Sequence, residues 1–158
     1  MTRRRKMIAE KKIAELGIVL PAGSKPAAKY VPAVRTGNLI FVSGQIPTAD
    51  GKLAYTGKAG GALTLEDAQA AARLCMINGL AALKAELGDL DRVRQIVKLQ
   101  AFVATENGFD KQHLVANAAS ELLGEVFGDA GVHARTAVGV NQLPMDAAVE
   151  IELIAEVD

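Results

Sequence analysis

Hydrophobic and polar positions alternate most regularly near the C-terminus. From about Arg135 to Val140, the residues Arg135, Ala137 and Gly139 share one face of an extended strand, and Thr136, Val138 and Val140 share the other. From about Ala148 to Val157 the pattern is cleaner, with Val149, Ile151 and Leu153 on one face and Glu150 and Glu152 on the opposite one. The QLPMD segment between them contains Pro144, which cannot donate to a sheet ladder, so it reads as a short connection. This reading sets Arg135 and the two carboxylates on neighbouring strands.

Upstream, Tyr30 to Val34 reads as an edge strand because Pro32 removes a ladder donor. Arg35 to Asn38 forms a tight turn, with Gly37 and Asn38 both suited to positive φ. Leu39 to Ser43 is apolar on both faces, and Val93 to Ala104 is a long strand. Thr48 to Gly61 is polar and glycine-rich, a surface loop with a short strand near Leu53 and Tyr55.

Two long helices separate these strands. Thr64 with Asp67 gives a capping-box-like start, and Gly88 ends the helix at about Leu87. One of its stripes is small (Ala68, Ala72, Cys75, Gly79, Ala82) and another is large (Met76, Leu80, Leu83, Leu87), so it should be deeply buried. The second helix, Asp110 to Phe127, carries Leu114, Ala118, Leu122 and Val126 on one face and stops at Gly128. Met7 to Gly17 reads as a short helix with a thin stripe of Ile8, Ile13 and Leu16, followed by a linker from Ile18 to Ala28. The order β-β-(β)-α-β-α-β-β predicts an α/β (α+β) domain, with two long helices packed on one face of a mixed sheet. The other face then lacks a cover, and self-association supplies one economically.

A chain of 158 residues fits one domain, divided into an N-terminal extension (1–28) and a body (29–158). Its single cysteine, Cys75, sits in an apolar helical run and reads as a buried structural thiol. No apolar run is long enough to span a membrane, and the basic start is not followed by the apolar region of a signal peptide, which predicts a cytoplasmic protein. Net charge is zero but unevenly spread. Residues 1–35 hold nine of the eighteen Lys and Arg and only two acids, while the remainder holds nine basic and sixteen acidic residues. The body is therefore acidic and does not look like a nucleic-acid surface. The basic Thr2 to Lys6 stretch reads as a solvated terminus before it reads as a phosphate-binding arm.

Two histidines and one cysteine, without ligand spacing, predict no metal site, and no glycine-rich phosphate loop or nucleophile elbow points to a cofactor. His113 reads as a helix-surface or rim residue. His133, two positions before Arg135, reads as a loop residue that could line a pocket mouth. The small neighbours of Arg135 leave room beside its planar fork, which suits bidentate binding of a carboxylate. On spacing alone, however, Arg135 is also a surface ion-pair partner, and Glu150 and Glu152 a solvated strand face. Ser43-Gly44-Gln45 is either a bulge or a point where a ligand approaches the backbone.

Three ordered blocks resemble the reactive intermediate deaminase (Rid) family, many of whose members carry the older label of L-PSP endoribonuclease. They are ARTAVGV with LP and AAVEIELIA, then TGNLIFVSGQIP from Thr36 to Pro47, and then Lys98 to Ala104 followed by a helix carrying Asn117. The resemblance covers Tyr30 to the C-terminus. It implies a chorismate-mutase-like fold assembled as a homotrimer, with pockets for a small imino or keto acid between subunits. Carried over by position, it makes Arg135 the group that holds the substrate carboxylate and Glu150 the group that places water or moves a proton. Tyr30, Ser43, Gly44 and Asn117 line the pocket, and Ala137 stands where members often carry Ser or Cys. The segment before Asn117 is about one helical turn longer than is usual, which with the N-terminal extension marks a divergent subgroup. The implied reaction is hydrolysis of a 2-aminoacrylate-type enamine, through its imine, to a 2-keto acid and ammonia, without a cofactor. An imine carbon is already electrophilic, so positioning and mild proton transfer suffice. The alternative is a non-catalytic trimer that binds small carboxylates or proteins. An endoribonuclease fits the acidic body less well, and a chorismate mutase rests on fold analogy alone.

Overall fold

The computed structural model describes residues 8–23 and 28–158. The basic Thr2 to Lys6 stretch, like Ser24 and Pro26 of the linker, lies outside the described residues. A short helix α1 (Ala9–Glu15) is followed by β1 (Ala33–Thr36), β2 (Leu39–Gln45), the small strands β3 (Thr48–Ala49) and β4 (Lys52–Leu53), helix α2 (Leu65–Leu87), β5 (Val93–Ala104), helix α3 (Gln112–Phe127), β6 (Ala134–Val140) and β7 (Val149–Val157). The predicted mixed sheet with two long helices is therefore the observed fold class.

The five long strands form one sheet in the order β1-β2-β7-β5-β6, and β3 pairs with β4 as a separate hairpin. Only β5 and β6 are parallel, joined by the α3 crossover. This order corrects one expectation. The last two strands are consecutive in sequence but not adjacent, because β5 lies between β6 and β7 and pairs with both. The edge strand also begins later than expected, at Ala33, which leaves Tyr30 outside it. In the turn that follows, Gly37 takes positive φ (58°) and Asn38 does not.

Register assigns every side chain to a face. Leu99, Ala101 and Val103 of β5, and Ile151, Leu153 and Ala155 of β7, are buried beneath the helices. Ile40 and Val42 of β2 extend the same floor, and Ala72, Cys75, Met76, Leu80 and Leu83 of α2 pack onto it. Thr64 and Asp67 close the α2 capping box reciprocally, with Thr64 N–H donating to Asp67 (3.0 Å) and Asp67 N–H donating to Thr64 Oγ1 (3.1 Å). The buried face of α3 is Val115, Ala116, Ala119, Leu122, Leu123 and Val126. It is rotated from the predicted row, and Leu114 and Ala118 are only partly buried, because α3 packs on α2 and the sheet together.

Helix α1 lies on the helix side, held by reciprocal capping. Asp91 Oδ1 accepts from Ala9 N–H (2.7 Å), while Glu10 accepts from Leu90 N–H (3.0 Å) and pairs with Lys84 (2.7 Å). This docking turns Ala9 and Ile13 inward and leaves Ile8 and Leu16 exposed, unlike the predicted stripe. No described helix covers the opposite sheet face. One row across it runs Val34, Phe41, Ile154, Lys98, with Val34 52% and Phe41 43% exposed. At one end only, Phe102 and Val140 pack on a small cluster of Ala104, Leu143 and Ala147.

Gly131 shows how tightly the α3–β6 connection is folded, since a Cβ there would overlap the carbonyl oxygen of Leu123 in α3. Gly131→Ala is expected to destabilise the chain by about 1–3 kcal/mol, the usual range for overpacking. Urea denaturation at fixed protein concentration checks this, and a variant within about 0.5 kcal/mol of wild type, the surface-substitution range, contradicts it.

Candidate active site

The parity of β6 follows from its pairing. Arg135 lies opposite Leu99, and Ala137 opposite Ala101, so both face the helices, as does Gly139. Arg135 meets α3 there. Its Nη1 donates to Asn117 Oδ1 at 2.8 Å and to Ser120 Oγ at 3.2 Å. Asn117 and Ser120 are three residues apart and so share one helix face. Both hydrogens of Nη1 are thereby taken. The Nε–Nη2 edge, which has the geometry to grip a carboxylate with two parallel bonds, has no partner among the described residues.

His133 completes this cluster. Its Nδ1 lies 2.6 Å from the Gly131 carbonyl and its Nε2 lies 2.9 Å from Ser120 Oγ. The sequence reading does not single out Ser120, and it gives His133 as a loop residue that could line a pocket mouth. The available signal was their spacing, since 133, 135 and 137 share a strand face and 117 and 120 share a helix face. His113 is exposed on α3, as read from the sequence.

Glu150 belongs to the other face. It pairs across the ladder with Phe102, whose parity on β5 is opposite to that of Leu99. Within one chain, Arg135 and Glu150 are thus on opposite sides of the sheet, two strands apart. The expectation that their two strands are neighbours is corrected. It assumed that consecutive strands pair, and β5 intervenes.

Around Glu150 the backbone of β2 is bulged. Val42 pairs with Leu153 and Gln45 with Ile151, so Ser43 and Gly44 together oppose Glu152. The glycine is required by contact. A Cβ at Gly44 would overlap Glu150 Oε1, so the absent side chain is where the carboxyl sits. Ser43 Oγ donates to the Val31 carbonyl (2.7 Å), which ties the exposed Tyr30–Val31 segment to the bulge. Ser43 also lines an open groove of about 410 Å³ with Phe41, Lys98, Gln100 and Glu152. Glu152 accepts from Gln100 Nε2 at 2.6 Å and is engaged structurally.

Partial burial raises the Glu150 carboxyl above its ordinary range, and the charge of Glu152 adds to the effect. Cys75 is fully buried, donates to the Val149 carbonyl (3.4 Å), and is pushed well up by burial and then by Glu150. It is a core thiol, as read from the sequence. The site residues thus fall into two sets. One is Arg135, Asn117 and Ala137 on the helix side of the outer strand, joined by Ser120 and His133. The other is Glu150, Ser43 and Gly44 on the open face, with Tyr30 beside it.

Residues 10–157 match a family described as "YjgF/chorismate mutase-like, putative endoribonuclease". Protein TCP17 of Trypanosoma cruzi is 47% identical over 147 residues, covering 92% of each chain. The RutC family protein PH0854 of Pyrococcus horikoshii is 32% identical over 131 residues, covering 83% of this chain and 89% of its own. Among solved structures, Atu1372 of Agrobacterium tumefaciens, of unknown function, superposes with a TM-score of 0.89 at 48% identity, over 96% of this chain and 93% of that one. The E. coli protein TdcF, solved with bound serine, superposes with a TM-score of 0.60 at 26% identity, over 87% and 93%. No described helix is long and apolar enough to cross a membrane. By sequence over nearly its whole length, and by fold, the chain belongs to the YjgF/RutC family.

Proposed function

We propose that the chain hydrolyses small 2-imino acids, reached from their enamine tautomers, to 2-keto acids and ammonia. The observation that carries this reading is the state of Arg135, whose Nη1 is fixed by Asn117 and Ser120 while its Nε–Nη2 edge is open. Such an open edge has the geometry to receive a carboxylate. Serine, the molecule bound to TdcF, is itself a small 2-amino acid with a carboxylate.

The second requirement is a group that moves a proton near neutral pH. Glu150 has the chemistry, because a carboxyl raised by burial is a better acid and base at neutrality than an exposed one. Water adds to the imine carbon as the nitrogen takes a proton, and the resulting carbinolamine releases ammonia as the C=O bond forms. Glu150 takes a proton from the water and returns one to the departing nitrogen.

The two sets meet only between molecules in this reading. The sheet face bearing Glu150 is open and partly apolar, and the Arg135 cluster lies at the sheet edge. In a closed ring of three copies, the open face of one subunit receives the β6 edge of the next. Tyr30, Ser43 and Gly44 then come from the same subunit as Glu150, and Asn117 and Ala137 from the one that supplies Arg135. A second reading, a non-catalytic trimer that binds small carboxylates, is favoured by Ala137, which offers no polar atom beside Arg135. Ligand-dependent stabilisation without turnover is its signature. The family description includes endoribonuclease, and RNA cleavage by the purified chain would favour that activity instead.

Two outcomes are expected. Ammonia release from freshly generated 2-iminopropionate should exceed background with wild type, and Arg135→Ala should lower kcat/KM by about 10²-fold or more, because it removes the charged, bidentate partner. Equal rates in the two proteins refute the reading. The raised carboxyl also gives a stability test. Glu150 holds its proton more tightly in the folded chain than in the unfolded one. Its stabilising contribution is therefore fully present below the unfolded carboxylate pKa, about 4.3, and is lost as pH rises through the higher folded value. Glu150→Gln, always neutral, should melt above wild type at pH 7 and converge with it below about pH 4. Wild type gaining on the variant as pH rises is the contrary result.

A further inference from the structure

We propose that Ser120 and His133 are positioning residues, forming a hydrogen-bond relay that holds Arg135 in its carboxylate-binding orientation. The inference rests on the reading of Arg135 given above and extends it to two residues outside the β6–β7 signature.

The Gly131 carbonyl can only accept, so His133 Nδ1, 2.6 Å away, carries a hydrogen. In the neutral ring Nε2 is then an acceptor. Ser120 Oγ lies 2.9 Å from Nε2 and donates its single hydrogen there. A hydroxyl is free to rotate and is as ready to donate as to accept. Facing a guanidinium, it must accept. By taking the hydroxyl hydrogen, His133 leaves only lone pairs on Ser120 Oγ for Arg135 Nη1, 3.2 Å away. Asn117 Oδ1 receives the other Nη1 hydrogen at 2.8 Å.

Two acceptors on one nitrogen fix the rotation of the guanidinium plane. With Asn117 alone, the plane can turn about that single bond, and the Nε–Nη2 edge no longer has one direction. The relay begins in rigid structure. Gly131 is buried, and the Leu123 carbonyl of α3 stands where its Cβ would be, so the carbonyl that sets the His133 tautomer is itself fixed against the helix that carries Asn117 and Ser120. Helix, connection and strand thereby converge on one side chain. Ser120 and His133 act through Arg135 and do not themselves touch the substrate.

The test is calorimetric titration of the full chain with 2-oxobutanoate, a 2-keto acid carrying the carboxylate without the reactive imine. Ser120→Ala and His133→Phe should each raise Kd about tenfold, the effect of loosening one charged hydrogen bond. Ser120→Thr keeps the hydroxyl and His133→Gln keeps an acceptor near the Nε2 position, so both should stay within about threefold of wild type. Because the two residues act in series, Ser120→Ala combined with His133→Phe should bind no more weakly than Ser120→Ala alone. A purely structural role would lower the melting temperature and would not follow this pattern of loss and rescue. Should Ser120→Ala fail to fold, His133→Phe, which changes a partly buried loop residue, decides the matter alone. If Arg135→Ala loses binding while Ser120→Ala and His133→Phe bind like wild type, the relay is refuted and the Arg135 reading stands. Wild type that binds no 2-oxobutanoate, or Arg135→Ala that binds it normally, overturns both.

Discussion

Among the described residues the sheet is sealed by helices on one side only, and the rest of the structure follows from that. Two helices bury Leu99, Ala101, Val103, Ile151 and Leu153, so the residues between them on β5 and β7 are driven to the other face. Those residues are Gln100, Phe102, Glu150, Glu152 and Ile154, a mixture of amide, carboxylate and apolar groups. Helix α1 does not cover them, because its capping exchange with the Leu90–Arg92 turn anchors it on the helix side. A sheet face left in this state has a row of exposed apolar side chains and a half-buried carboxyl. The first favours association, and the second is a group whose protonation is already displaced towards neutrality.

Arg135 occupies the complementary position. On the outermost strand, with its face turned to α3, it is near enough to the helix to be oriented and near enough to the edge to leave half of its fork free. Its partners are all neutral. Asn117 and Ser120 accept hydrogen bonds without cancelling the charge, so the guanidinium keeps its attraction for an anion. An ion pair with a carboxylate in the same place would have satisfied Arg135 and closed the site. Gly44 shows the same economy at Glu150, where a missing side chain makes room for a carboxyl that is then partly shielded from water.

Much of this was legible in the sequence. Period-two alternation gave the faces of β6 and β7 correctly, the Thr64–Asp67 pair marked the start of α2, and the bounds of β5 were read without error. What alternation cannot give is the lateral order of strands. Face parity is local, whereas the insertion of β5 between β6 and β7 depends on the α3 crossover and on long-range pairing. The expectation that the strands of Arg135 and Glu150 are neighbours fails for that reason. Of the predicted α1 stripe only Ile13 is buried, because the polar capping exchange turns the seven-residue helix so that Ala9 and Ile13, and not Ile8 and Leu16, face the core. The α3 face was off by a small rotation because helix α3 contacts two surfaces at once. Ser120 escaped notice, and His133 reads only as a loop residue that could line a pocket mouth, because hydrogen bonds across three elements have no sequence period.

The central proposal is that Arg135 of one subunit and Glu150 of another form one reaction centre, since within one chain they lie on opposite faces of the sheet. Co-refolding Arg135→Ala with Glu150→Gln in equal amounts tests it directly, with mixed assembly verified by native mass spectrometry. Each variant alone should be inactive in ammonia release. The mixture should recover about one quarter of wild-type activity, because a random ring draws an intact arginine and an intact glutamate to the same interface about that often. Mixed assemblies that remain as inactive as their parents would contradict the account, since they would mean that the two residues must come from the same chain or do not act together.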